Sequence, residues 1–177
     1  MVRSAAPAIL PGIALLALDA ATVMAAAAPP SSGTVDLVGR YHPLLVHFPL
    51  ALIVTALVAE GMFVARRDER FAAAARFMIH AGAWVGIAAA LTGFARADSI
   101  ILDASQQSAF AVHRIAGIAT PVLAFLAAGL ADGVRRSGQI WELFLYRIVL
   151  ALAAAGALVA GFCGGELVYG AGFFSLW

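Results

Sequence analysis

Five apolar stretches divide the chain, and four of them are long enough to cross a membrane. These four run over about residues 43–65, 75–95, 108–134 and 140–163. A helix rises 1.5 Å per residue, so each of them can span a hydrocarbon core about 30 Å thick. The pattern predicts an all-α fold, a transmembrane four-helix bundle.

The remaining apolar stretch lies at the N-terminus and has the features of a targeting segment. It follows Arg3 and ends in small residues, so residues 1–28 are predicted to be a signal peptide or a retained N-terminal anchor. Residues 29–40 are predicted to be a periplasmic linker. The four-span membrane domain is expected over 41–172, with a C-terminal tail over 173–177.

Composition supports the membrane assignment and excludes several classes of function. Hydrophobic residues make up 63% of the chain and charged residues 12%, with a mean hydropathy of +0.96. That charged fraction is too small to cover a soluble domain. The net charge of +1 argues neither for nor against nucleic-acid binding, but the chain has no basic patch to support it, so no nucleic-acid partner is expected. With one cysteine, Cys163, the chain has neither an internal disulfide nor a CxxCH haem-attachment motif.

Arginine placement predicts the orientation. The connections after the first and third spans carry most of the loop arginines, which the positive-inside rule places in the cytoplasm. The linker, residues 96–107 and the C-terminus then face the periplasm. The expected location is the bacterial inner membrane, with several passes.

A weak internal repeat pairs a Val-His at the start of a span with an Arg-Arg at its end, at offsets of 66 to 69 residues. The two sets are Val46, His47, Arg66 and Arg67, and Val112, His113, Arg135 and Arg136. The repeat predicts two helix hairpins related by an axis along the membrane normal. His47 and His113 are equivalent positions under this alignment.

His47 and His113 are the principal candidate ligands. Each lies about 6–7 Å inside its span, on helices that run in the same direction. Such helices occupy a diagonal of a four-helix bundle, where two inward-facing imidazoles can ligate one haem iron. The alternatives are another metal, a quinone-type ligand or structural hydrogen bonding. His42 is interpreted as an interfacial or capping group, with a ligand or supporting role as the minor option.

Charged residues near the same level are candidates for binding the cofactor. Arg40 and Arg114 can neutralise haem propionates, although Arg114 can equally reach the lipid headgroups. Glu166 can order a histidine ligand as a hydrogen-bond acceptor, or be a solvated helix-end carboxylate.

A second polar layer is predicted near the opposite membrane face. Glu60, His80 and Arg147 reach a similar depth from three helices, and charges in hydrocarbon usually pair inside a bundle. A Glu60–Arg147 ion pair with His80 alongside is expected. It either locks helix packing or belongs to a proton relay or a cytoplasmic-side cofactor site.

Two segments resemble a known family. HPLLVHFPLAL at 42–52 and GGELVYGAG at 164–172 are similar to bacterial four-span membrane proteins of the domain-of-unknown-function 2231 family. The resemblance covers about residues 41–172. It implies an inner-membrane helical bundle that accompanies respiratory or cytochrome-bearing proteins, and it supplies no activity.

The leading interpretation is an electron-transfer module rather than a complete enzyme. It would be a b-type cytochrome-like protein with one haem near the periplasmic side. Its partners would be membrane lipids and a periplasmic cytochrome or a quinone-linked membrane complex, with homo-oligomerisation left open. The alternatives are a non-catalytic anchor or assembly subunit and a small ion or proton pathway. No hydrolase or metalloprotease motif is present.

Overall fold

The computed structural model describes residues 33–97, 100–170 and 173. The predicted signal peptide or anchor lies outside these residues. The described part of the chain is helical and contains no strand. The elements are α1 (Gly33–Arg40), α2 (His42–Leu45), α3 (His47–Arg66), α4 (Glu69–Ala97), a 3-10 helix (Ala104–Gln106), α5 (Gln107–Ser137) and α6 (Ile140–Tyr169).

Four candidate membrane spans confirm the predicted fold class. They cover Gly33–Arg66, Glu69–Ala97, Ala104–Ser137 and Ile140–Tyr169. The segment expected to be a linker is helical from Gly33, so the first apolar helical run begins about ten residues earlier than its hydropathy indicates.

Prolines explain why this first run is divided into three helices. Pro43 and Pro49 lack the N–H that would bond the carbonyls of Gly39 and Leu45. The chain turns at Tyr41 and at Val46, between α1, α2 and α3. By contrast, α5 continues as one helix through Pro121.

The four long helices pack as two antiparallel hairpins, α3–α4 and α5–α6. The hairpins meet through α4 against α5 and through α3 against α6. The helices α3 and α5 therefore lie on a diagonal of the bundle, as predicted. We call the end with the turns at residues 67–68 and 138–139 the hairpin end. The opposite end, where α1 and α2 pack on α4, is the histidine end.

The two hairpin turns use the same cap. Arg67 and Gly138 both adopt left-handed backbone conformations, with φ of 55° and 66°. Their N–H groups donate to the carbonyls of Phe63 and Val134, four residues earlier in each case. Glycine adopts this conformation without steric cost, whereas arginine does not.

The core is built mainly from alanine. The fully buried large side chains among the described residues are Ile53, Ile79 and Leu150. Most other core positions are alanine, which lets helix backbones approach closely, as is common in membrane bundles. The buried alanines of this cluster are Ala56, Ala83, Ala124, Ala127, Ala128, Ala131, Ala153 and Ala154.

Candidate functional site

A pair of histidines meets between the hairpins at the histidine end. His42 of α2 and His113 of α5 have ring centroids 6.0 Å apart and an interplanar angle of 80°. Both side chains are partly buried. His113 belongs to the second hairpin, and His42 lies on α2, which packs on α4 of the first hairpin, so the pair bridges the two halves of the bundle.

Backbone carbonyls fix the orientation of both rings. The Nδ1 of His42 bonds the carbonyl of Ala89 at 2.9 Å, and the Nδ1 of His113 bonds the carbonyl of Ala160 at 2.8 Å. A carbonyl only accepts hydrogen bonds, so each Nδ1 carries a proton. In the neutral imidazoles the lone pair is then on Nε2, the nitrogen that binds a metal when Nδ1 is anchored in this way.

Two glycines make room for the rings. A Cβ on Gly93 would lie 2.9 Å from Cε1 of His42, and a Cβ on Gly164 would lie 3.0 Å from Cε1 of His113. Either contact is at or below the closest approach of real Cβ atoms, so the ring would have to shift. Here Gly93 and Gly164 accommodate the imidazoles themselves.

The two halves of this site are structural repeats. The histidine and its carbonyl partner are separated by 47 residues in both hairpins. His113, Ala160 and Gly164 each follow His42, Ala89 and Gly93 by 71 residues. The turn caps Arg67 and Gly138 have the same spacing. The hairpin repeat is therefore present, but its spacing is 71 residues and not the expected 66 to 69.

The residue whose ring contacts His113 is therefore His42 and not His47. His47 is exposed and begins α3, beyond the turn at Val46. The expected meeting of His47 with His113 is therefore wrong. It assumed one continuous helix from Pro43, whereas the turn at Val46 changes which ring faces inward.

One polar contact is not repeated. Thr92 Oγ1 lies 3.2 Å from Nδ1 of His42 and donates to the carbonyl of Ala89 at 2.9 Å. The counterpart of Thr92 in the second hairpin is Cys163, and both side chains are buried. Cys163 thus occupies the threonine position of the second half-site.

The predicted propionate partners have other contacts. Arg40 forms an ion pair of 2.8 Å with Asp36, one turn earlier in α1. The Arg114 guanidinium lies 6.0 Å from the centroid of the Phe94 ring, a cation–π distance. Glu166 is partly buried near the end of α6, where its backbone carbonyl accepts from the N–H of Gly170.

The predicted Glu60–Arg147 pair is present toward the hairpin end. Arg147 Nε donates to Glu60 Oε1 at 2.8 Å, and the Glu60 side chain is only 7% exposed. This pair joins α3 to α6. The hydroxyl of Tyr146, the residue before Arg147, is buried beside the Glu60 carboxylate.

His80 does not join this pair and has its own acid partner instead. Its Nε2 lies 3.2 Å from Oδ2 of Asp132, and its Nδ1 bonds the carbonyl of Arg76 at 2.8 Å. This second pair joins α4 to α5. Asp132 was not among the residues predicted from the sequence, although an acid inside an apolar span is the same signal that identified Glu60.

The turn between α3 and α4 carries an exposed pair. Hydrogen bonds from Arg70, at 2.7 Å for the shortest, lower the pKa of the Asp68 carboxyl below its ordinary value. Within residues 33–97, 100–170 and 173, no group of three or more His, Cys, Asp or Glu side chains is placed to hold a metal ion.

Four apolar spans around a pair of backbone-anchored imidazoles define a multi-pass membrane helical bundle. The chain belongs to a family described as predicted membrane protein (DUF2231), whose model matches residues 40–174. The comparison with curated proteins finds no match, and neither does the comparison with solved structures.

Proposed function

We propose that this protein is a b-type cytochrome-like electron-transfer module of the membrane, with one haem held by His42 and His113. The observation that carries the proposal is the His42–His113 pair itself. Two imidazoles on opposite sides of one iron, each about 2 Å from it, have ring centres about 6 Å apart. The centroid separation of 6.0 Å agrees with this requirement.

The hydrogen bonds of the pair favour ligation over simple packing. Each Nδ1 is occupied by a carbonyl, so each Nε2 is the remaining ligand atom. Metal-binding histidines usually donate their other N–H in this way, which fixes the tautomer and the ring orientation. A porphyrin supplies four ligands itself, so two protein side chains complete the coordination of its iron.

Two residues beside the pair support the proposal. A Cβ on Gly117 of α5, one turn beyond His113, meets nothing within 4 Å. Arg114 lies beside His113 in the chain, where a guanidinium can bind a propionate after leaving the Phe94 ring. Haem would supply one-electron redox chemistry, while the chain sets its depth, its axial ligands and its electrostatic surroundings.

The loop arginines support a haem on the periplasmic side of an inner membrane. The histidine end lies opposite the arginine-bearing turns. An electron carrier at this position suits exchange between a quinone-linked membrane complex and a periplasmic cytochrome. We therefore include these two redox partners in the proposal.

The test is an absorbance spectrum of the full chain, purified in detergent from haem-replete cells, before and after dithionite reduction. We expect a Soret band and a reduced α band of the b type, with about one haem per chain. His42→Ala and His113→Ala should each remove most of the band. His47→Ala is the matched control, because His47 is exposed on the next helix and its loss should leave the spectrum unchanged.

Two results would overturn the proposal. A featureless visible spectrum with a negligible iron content would leave the non-catalytic anchor or assembly subunit as the remaining interpretation. A spectrum that survives His42→Ala but is lost in His80→Ala would place the cofactor at the hairpin end. Metal analysis of the same samples separates a porphyrin from a bare metal ion held by the two imidazoles.

A further inference from the structure

Ionisable side chains from all four long helices lie more than one turn inside the spans toward the hairpin end. Within the described residues they are Glu60, Arg76, His80, Asp132 and Arg147. Four of them form two pairs, Glu60–Arg147 and His80–Asp132. The fifth, Arg76 of α4, is partly buried, and its guanidinium makes neither a hydrogen bond nor an ion pair with the residues that the structure describes.

The two pairs leave the charge of Arg76 uncompensated. In the Glu60–Arg147 pair one carboxylate meets one guanidinium, so this pair is neutral. The Nδ1 of His80 is protonated because it bonds a carbonyl, so the 3.2 Å contact of its Nε2 with Asp132 needs a second proton. This pair is also neutral, whether the imidazole or the carboxyl group carries that proton. The charge that remains among these five side chains is the one on Arg76.

The repeat shows which acid is missing beside Arg76. Arg76 and Arg147 are 71 residues apart, so they are equivalent positions of the two hairpins. The counterpart of Glu60, the acid that pairs with Arg147, is Ala131. Ala131 is buried on α5, the helix that packs against α4 in the second interface between the hairpins. A methyl group thus replaces the carboxylate there, and an anion for Arg76 has to come from outside these residues.

The guanidinium of Arg76 can reach the phosphate layer of the membrane. Arg76 lies about 10 Å along α4 from Glu69, where this span begins at the hairpin end. Side chains of a helix point toward its N-terminus, which for α4 is the hairpin end. Arginine side chains inside a span extend in this way to the headgroups. The next residue, Phe77, is 72% exposed, so lipid can contact α4 at this level.

We propose that Arg76 binds the phosphate of an anionic phospholipid in the leaflet at the hairpin end. A guanidinium presents several N–H donors in one plane and binds phosphate oxygens through charge-assisted hydrogen bonds. Basic sites between membrane helices bind anionic headgroups in this way. A zwitterionic lipid also carries a phosphate, but its ammonium group cancels the charge that Arg76 needs. Exposed arginines around the two turns attract anionic lipids to the same end, namely Arg66, Arg67, Arg135 and Arg136.

This site is separate from the proposed haem site. Arg76 and Gly93 are about 25 Å apart along α4, and the two sites share no residue. Lipid binding needs no haem, so a featureless spectrum would end the proposed electron-transfer function and leave this inference standing. A failure of lipid binding would equally leave the haem proposal standing.

Native mass spectrometry tests the inference on the full chain, released from nanodiscs made of equal parts phosphatidylglycerol and phosphatidylcholine. We expect the chain to retain phosphatidylglycerol in preference to phosphatidylcholine, at about one molecule per chain. Arg76→Gln removes the guanidinium and should weaken this retention by about tenfold. Ala131→Glu should weaken it by a similar factor although Arg76 is still present, because the new carboxylate gives the guanidinium a partner within the chain. If Ala131→Glu does not fold, the result for Arg76→Gln decides.

Arg66→Gln is the matched control, because it removes the same charge from an exposed arginine at the same end of the bundle. Its retention of phosphatidylglycerol should stay within about twofold of the unmodified chain. The proposal is overturned if Arg76→Gln retains this lipid as well as Arg66→Gln does, or if the unmodified chain retains both lipids equally. It is also overturned if millimolar inorganic phosphate displaces the lipid, since the ligand would then be free phosphate.

Discussion

The histidine end and the hairpin end of the bundle differ in how far the two halves of the repeat correspond. At the histidine end each hairpin contributes a histidine, a carbonyl and a glycine at equivalent positions. At the hairpin end the turn caps still correspond, but most of the side chains that form the ion pairs do not. Arg147 has a counterpart in Arg76, whereas the counterparts of Glu60 and His80 are Ala131 and Ala151.

The difference separates a site that uses both halves together from ion pairs that each use one acid and one base. If the paired imidazoles act on one shared ligand, changing either half-site disrupts the whole site. An ion pair between hairpins needs only one acid and one base, so each interface can use its own. The α3–α6 interface has Glu60–Arg147, and the α4–α5 interface has His80–Asp132.

The largest expected effect is a loss of stability when the Glu60–Arg147 pair toward the hairpin end is broken. Glu60→Ala leaves the Arg147 guanidinium without its partner inside the bundle, and breaking a buried pair costs about 3–5 kcal/mol. The lower end of this range applies because Arg147 is 34% exposed. Unfolding in mixed detergent–SDS micelles, followed by circular dichroism, measures the change.

The double variant Glu60→Ala with Arg147→Met should recover at least half of that loss, because no unpaired charge remains. Asp68→Asn is the control at the same end. It breaks the exposed Asp68–Arg70 pair and should leave the unfolding midpoint unchanged. Equal losses in Glu60→Ala and in the double variant would show that charge pairing is not the source of the stability.

A smaller and symmetrical effect is expected at the histidine end. Gly93→Ala and Gly164→Ala each place a methyl group about 3 Å from an imidazole, and such overpacking costs about 1–3 kcal/mol. Displacing either ring should reduce haem occupancy by about tenfold, measured as haem per chain. The two variants should behave alike, while Gly61→Ala should not change occupancy. Loss in only one variant contradicts a shared site.

The smallest effect on stability is expected from exchanging Thr92 and Cys163, the corresponding residues that differ between the two half-sites. Thr92→Cys removes a hydroxyl near His42, and Cys163→Thr gives the second half-site the residue of the first. Each change nearly conserves the side-chain volume, although threonine has one more methyl group on its Cβ, and should alter stability by less than about 1.5 kcal/mol. The reduced spectrum should persist in both. Its disappearance in Cys163→Thr would assign the thiol a role that Thr92 cannot fill.

The fold could be predicted from the sequence because membrane spans are set by length and hydropathy, and diagonal packing follows from short hairpin turns. His113 and the Glu60–Arg147 pair could also be predicted, since ionisable groups in apolar spans turn inward. The inward ring of the first half-site could not. Which ring faces inward depends on the turn at Val46. Counting residues along an ideal helix gives the depth of a histidine beyond such a turn, but it does not give the side of the helix on which the ring lies.

The alanine core determines how closely the helices approach in the middle of this bundle. Alanine at the centre brings the helix backbones together and sends the bulky side chains outward, including Trp84, Leu126 and Leu152. Within the described residues, these alanines close the middle of the bundle between the two polar ends. A ligand of the histidine end therefore has to enter sideways, from the bilayer or from the adjoining membrane surface, and not through the middle of the bundle.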